Sequence, residues 1–330
     1  MCAINVVCKM TRTNFCFCFI YSSLNVLITG ALLTTMNVAM AETLNGFDLQ
    51  NALIPLAAIE RGGPPRDGIP AIDSPRFTTI GNANWLHPDD RVLGIYRNSI
   101  ARAYPIAILN WHEIVNDTIG DEPIVVTFCP LCGSGMAFKS KVNNRRLRFA
   151  VSGLLYESDV LLYDRETESL WSQIMSKAVT GKLKGIELQQ IALTLTTWQD
   201  WKTRFPDSMV LSRETGFQRD YTRNPYQGYG SSRSLEFSVS NQDNRLHPKA
   251  WVIGLKRNGH FKAYPFDELA KTSGIVREKF NGAEIVVHYD SASRAAVITD
   301  KAGEEIPTIS AYWFAWYAFH PDTEVFRAPR

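Results

Sequence analysis

Two cysteines three residues apart end a β-branched run in Ile124-Val125-Val126-Thr127-Phe128-Cys129-Pro130-Leu131-Cys132-Gly133. A C-x-x-C turn at a strand end puts both sulfurs on one side. The glycine after it lets the backbone take positive φ and wrap its N–H groups toward them. Three chemistries are open to such a pair. It can clamp a metal ion, exchange electrons as a dithiol, or close a disulfide that fixes a loop.

The remaining donors narrow the metal option. Cys129-Pro130-Leu131-Cys132-Gly133 resembles the metal knuckle of rubredoxins and zinc ribbons, but those proteins carry two knuckles and this chain has one. A site of four thiolates within one chain is therefore excluded. A mixed site must borrow His112, with Met136, Met175, Asp159 and His320 as further candidates. Thiolate plus imidazole suits copper or zinc, and a thioether would tilt the set toward copper. Cys-Pro-x-Cys also resembles the active pair of glutaredoxins and some periplasmic disulfide oxidases, in which the first cysteine caps a helix N-terminus. Here Gly133-Ser134-Gly135 follows, a poor helix start, and no βαβ pattern surrounds it. Metal centre, thiol–disulfide oxidoreductase and structural disulfide all remain open, and whether the chain is an enzyme stays undecided.

The elements that must position this pair are short strands separated by turns. Arg91 through Pro105 reads as a β-hairpin turning at Asn98, Ile106 through Val115 has helical spacing, and Ile124 through Phe128 is a strand. Trp251 through Pro265 repeats that hairpin nearly residue for residue, with a tight turn at Asn258-Gly259. A helix-like Phe266–Ala270 follows, and Ala283 through Asp290 matches Glu122 through Cys129 with one residue of slippage. An internal duplication of a hairpin–helix–strand unit results. It acts as a control: Asp290 stands for Cys129, Ser293 for Cys132, and Thr272 near the place of His112. A scaffold that folds without these three residues in one copy does not need them in the other, so one site is expected in the first copy alone.

Four turns also recur. His87-Pro88, Phe205-Pro206, His247-Pro248 and His320-Pro321 each precede a valine by the same spacing. Proline fixes φ there and leads the chain into a strand, so these histidines read as turn residues. Between the copies, alternation around Val160–Tyr163 marks a strand and Asp164 through Ser169 a polar turn. The expected fold is α+β and β-rich, with two related halves packed together and additional antiparallel strands between them. The first half is 42–240 and carries the site; the second, degenerate half is 241–330.

With 45% hydrophobic and 21% charged residues among 330, the chain fits a soluble globular protein rather than a disordered or multispan one. Lys9 and Arg12, an apolar run and Ala39-Met40-Ala41 form a secretory signal peptide pattern over residues 1–41, with an uncleaved membrane anchor as the alternative. Cleavage after Ala41 would place the protein in the periplasm or outside the cell. It removes two of the 35 basic residues and none of the 33 acidic ones. The near-neutral remainder has no basic block for nucleic acid or an anionic membrane, which leaves a metal ion, a small molecule or a redox partner. Four of six cysteines leave too, and only Cys129 and Cys132 enter an oxidising compartment. No signal for oligomeric state is present.

Phosphate-loop, H-E-x-x-H and dinucleotide patterns are absent, and Ser152-Gly153 is not a nucleophile elbow. The carboxylates of Asp164, Glu166 and Glu168 read as a solvated turn, and Trp198 and Trp201 as a helix packing face. Several segments together resemble an uncharacterised exported family of bacteria and archaea, catalogued as domain of unknown function 3179. They are Cys129 through Gly133, Ser152 through Tyr156, Tyr163-Asp164-Arg165, Ser169-Leu170-Trp171-Ser172-Gln173, Arg219-Asp220-Tyr221 and Asn224-Pro225-Tyr226. The similarity spans residues 60–326. It implies no reaction, but it does imply that Trp171, Ser172 and Gln173 lie near the cysteines.

Overall fold

The computed structural model describes residues 43–329, so the expected leader and its cleavage point at Ala41 lie outside the described residues. The fold is α+β and rich in strands. Arg91–Arg97 and Ile100–Pro105 form the first hairpin, followed by α1 (Ile106–His112) and an antiparallel meander of Ile114–Ile119, Glu122–Cys129 and Ser134–Lys139. After an excursion the chain returns as Thr194–Thr197, α2 (Trp198–Arg204) and Met209–Leu211. The first of these strands pairs antiparallel with Arg91–Arg97, and the second lies parallel to Ile100–Pro105.

The second copy repeats this path. Trp251–Arg257 and His260–Pro265 lead through α3 (Phe266–Leu269) into a meander of Ile275–Phe280, Ala283–Asp290 and Ala295–Asp300. Ile309–Tyr312, α4 (Trp313–Phe319) and Glu324–Val325 then close it with the same antiparallel and parallel pairings. The duplication thus extends one strand–helix–strand further than the repeated hairpin suggests. The reason is packing: Trp201 of α2 lies flat over Gly94, and Trp316 of α4 over Gly254. A Cβ on either glycine would come within 2.2 Å of the indole. Each indole N–H donates to a hydroxyl in the following turn, Ser208 Oγ at 2.8 Å and Thr323 Oγ1 at 2.9 Å. Two of the four recurring proline turns, at Pro88 and Pro248, have the same logic. Pro88 O accepts from Gln199 N and Pro248 O from Phe314 N, both at 2.9 Å, so each turn satisfies an orphan donor in the first turn of α2 or α4.

Two features break the symmetry. Residues 140–193 are inserted into the first copy and carry the hairpin Phe149–Tyr156 and Asp159–Asp164. That hairpin forms a separate sheet with Ile59–Arg61, Leu170–Ser172 and Lys177–Ala178. The strands on either side of the 240/241 boundary also share a sheet, because Ser310 of Ile309–Tyr312 pairs with Gly135 of Ser134–Lys139. Each copy's hairpin start thereby covers the other copy's meander turn. Arg91 Nη1 donates to Ser293 O at 2.5 Å. On the other side Tyr312 N, paired to Trp251, donates to Cys132 O at 2.8 Å.

Candidate metal centre

The strand Glu122–Cys129 is paired on both sides, which fixes Cys129 opposite Ser134 across the turn Pro130–Gly133. Gly133 holds φ at +62°, and a Cβ there would come within 2.9 Å of the Trp251 ring and 3.2 Å of Tyr312. The turn is thus shaped by its own backbone and by the opposite copy pressing on it. Both thiols are free and fully buried.

The third partner comes from the inserted hairpin. Glu157 and Ser158 form its two-residue tip, both at positive φ (53° and 63°), so the hairpin turns tightly and drives its end into the cysteine turn. Ser158 O accepts from Cys132 Sγ at 3.3 Å. The next residue, Asp159, offers a carboxylate oxygen that lies with the two sulfurs in a group whose members are all within 4.8 Å of one another. Ile174 N donates to Asp159 Oδ2 at 3.1 Å. Gln173 ties the surroundings together, accepting from Ser134 Oγ at 2.6 Å and donating to Thr127 Oγ1 at 2.8 Å.

Acidic groups dominate the electrostatics, although the buried Lys249 ammonium is close enough to feel the charge of Cys132. Burial pushes the Asp159 carboxyl up to about 7 despite its backbone hydrogen bonds. Glu113, the left-handed residue that ends α1, is pushed up to about 8 by burial and then by the Asp159 charge. Burial likewise raises both thiols, and Cys132 is raised further by its neighbours Cys129 and Asp159. Four acidic groups therefore converge, and no basic group contributes to the Glu113 or Asp159 shift.

His112 does not join this group, contrary to the sequence expectation. Its Nδ1 lies 2.7 Å from Pro70 O and its Nε2 2.7 Å from the Tyr221 hydroxyl, so both ring nitrogens are engaged. His320 is likewise outside the donor group: it stacks on Phe261 and against Trp316 at the end of α4. Met136 packs in the same apolar core as the thiols, with Met175 against its edge. Of the three residues expected beside the cysteines, Gln173 reaches the site. Ser172 Oγ accepts from Met175 N at 3.4 Å, and Trp171 donates to Asp164 Oδ2 at 2.9 Å.

The segment 221–231 covers the turn. Tyr221 holds His112, Asn224 Oδ1 accepts from Asn110 at 3.1 Å, and Arg223 O accepts from Trp111 Nε1 at 3.2 Å. The Arg219-Asp220-Tyr221 and Asn224-Pro225-Tyr226 motifs thus dock on the Asn110-Trp111-His112-Glu113 end of α1. Tyr226 lies close enough for Glu113 and Cys129 to push its phenol further up than burial alone. Beneath this cover a cleft of about 320 Å³ opens, lined in part by Phe128, Pro130, Tyr226, Trp251 and Tyr312. Sequence reasoning gives Glu113 no role and names Tyr221 and Tyr226 only as motif residues, because neither position carries a local signal that places it beside the cysteines.

Two thiols and a carboxylate form an S₂O set. A tetrahedral zinc ion holds such donors about 3.5–3.8 Å apart, and the three donor atoms here lie within 4.8 Å of one another. Comparison with curated proteins and with solved structures gave no match. A family described as protein of unknown function (DUF3179) matches residues 66–323, and the chain belongs to that family.

Proposed function

We propose that this chain is an exported metal-binding protein whose centre uses Cys129, Cys132 and Asp159, with zinc as its ion. The observation that carries the reading is the convergence of three buried acidic donors from two separate elements. Burying an ionised group without a partner is costly, and a divalent cation is the partner that allows all three to ionise. With imidazole outside the donor group and a carboxylate inside it, the set favours zinc over the copper alternative. Three protein ligands leave a fourth position, as in zinc sites that bind water or substrate.

The test is metal content of the mature protein produced by export. One equivalent of zinc is expected, lost in Cys129→Ser and in Asp159→Asn. A folded wild-type protein that takes up neither zinc nor copper would overturn the reading. Export itself is checked by N-terminal sequencing: a mature chain starting at Glu42 agrees with the proposal, and an intact Met1 in the membrane fraction contradicts it.

One observation favours a second reading. The two sulfurs and an Asp159 carboxylate oxygen lie within 4.8 Å of one another. In a dithiol, Asp159 would accept a thiol proton while the pair is oxidised to a disulfide and a partner disulfide is reduced to two thiols. Burial and the raised thiols oppose this, since exchange proceeds through an accessible thiolate. Rapid oxidation by small disulfides in metal-free protein, with no metal uptake, would favour it.

A further inference from the structure

The cleft over Pro130 is not isolated. A second cavity of about 330 Å³ lies beside it, and Arg91, Ile106, Asn110 and Asn224 line both. Each volume falls at the lower end of small-molecule sites, about 300 Å³. Their linings differ in kind. The first is walled by Tyr226, Trp251 and Tyr312, whereas the second gathers Arg213 and Arg223 with Arg91.

Arg91 is the central residue. Among the described residues its guanidinium donates only to carbonyl oxygens, those of Leu195, Ser293 and Arg294, and no carboxylate pairs with it. Arg294 adds a second positive charge nearby, while Asp200, already paired with Arg204, offsets it weakly. Neither Arg213 nor Arg223 forms an ion pair among the described residues, although the exposed Asp220 carboxylate feels the Arg223 charge; Arg213 lies over the Trp85 ring at 5.0 Å. The one acid in that lining, Asp90, accepts from His87 N. Arg91 is half-buried, and a charge held there without a carboxylate partner is costly, a cost that a bound anion removes; Arg213 and Arg223 stand exposed at the rim and add attraction only. The duplication again acts as a control, because the residue equivalent to Arg91 is Trp251. Both line the same cleft, one as cation and one as aromatic wall.

We propose that this double cavity binds a small organic anion, with its carboxylate or phosphate head on Arg91, Arg213 and Arg223 and its flat apolar body against Trp251, Tyr226 and Pro130. The Asn110–Asn224 hydrogen bond marks the waist between the two parts and leaves the Asn224 Nδ2 as a donor for the anion. The proposal does not require a metal ion, and it gives the cleft beside the cysteines an occupant of defined charge.

Benzoate, phenyl phosphate and benzyl alcohol, titrated into the full chain and followed by tryptophan fluorescence and calorimetry, test it. At least one of the two anions is expected to bind ten-fold or more tightly than the neutral alcohol, with affinity falling as salt rises. Which anion wins distinguishes a carboxylate from a phosphate ligand. Arg91→Gln should weaken the anion at least ten-fold. Because Arg91 also ties three carbonyls together, the exposed Arg213→Gln supplies a variant that leaves the fold intact, with an expected loss of about three-fold or more. The same anion should bind Cys129→Ser, in which the metal donor set is broken. Equal binding of all three probes, no binding of either anion, unchanged affinity in Arg213→Gln, or loss of binding in Cys129→Ser would each overturn the proposal.

Discussion

Glu113 and His112 are neighbours with opposite fates. His112 ends α1 and spends both ring nitrogens on Pro70 and Tyr221, whereas Glu113 turns left-handed and is buried with Asp159 as its charged neighbour. The histidine is thus a strut for the covering segment. His112→Gln is expected to keep one equivalent of zinc while destabilising the protein by about 1–3 kcal/mol through the unpaired carbonyl and hydroxyl left behind. Loss of metal with unchanged stability would contradict that role. Asp159→Asn should do the reverse: zinc is lost, and the metal-free variant melts higher than metal-free wild type at pH 8, where the wild-type carboxyl must ionise in a buried place. The cysteines were legible in the sequence because a C-x-x-C-G run carries its own geometry. Asp159 appeared only as one candidate among several. Its contribution depends on how deeply a hairpin inserted elsewhere reaches, and no local pattern encodes that.

At the scale of elements, the site is a turn pressed between a hairpin tip and the opposite copy. Gly133 feels this pressure directly, at φ +62° and with the Trp251 ring 2.9 Å from where a Cβ would lie. Gly259, in the second hairpin's turn, has φ +78° but nothing within 4 Å. Gly259→Ala is therefore expected to cost about 1 kcal/mol, the backbone penalty alone. Gly133→Ala should cost at least about 2 kcal/mol, because strain and overlap add, and it should lower zinc affinity as the turn shifts. Equal melting losses in the two variants would show that Trp251 does not press on the turn. The hairpins themselves were readable, since Asn98 and Asn258-Gly259 fall where positive φ is needed. The sheet that the two copies share was not, because the single pairing of Ser310 with Gly135 leaves no trace in either segment's pattern.

For the whole molecule, duplication supplies the scaffold and divergence supplies the chemistry. Where the first copy has Cys129 and Cys132, the second has Asp290 accepting from Ser293 Oγ at 2.5 Å, a self-satisfied turn. One consequence is global. Asp159 and Glu113 titrate near 7 and 8 in the fold, well above the ordinary carboxyl range, so the folded state holds more protons than the unfolded one between about pH 4 and pH 8. Their contribution to stability is complete below about pH 4 and is lost as pH rises through 7 to 8. Metal-free protein should therefore melt progressively lower from pH 5 to pH 8. Zinc should abolish that decline, since it binds the ionised forms and releases about two to three protons per ion near neutral pH. A melting temperature of metal-free protein that rises over the same range would contradict the assignment of buried, neutral carboxyls. The repeat was evident from residues 91–105 and 251–265. Its full length was harder to read, because α2 and α4 are short and share only a W-x-x-W pair and the proline turn that follows.

X-ray absorption at the zinc edge of the exported, metal-loaded protein tests the central claim most directly. Two sulfur neighbours at about 2.3 Å and oxygen neighbours at about 2.0–2.2 Å, without the scattering pattern of an imidazole, are predicted. A histidine signature, a single sulfur, or a shell of oxygen alone would contradict a centre built from Cys129, Cys132 and Asp159.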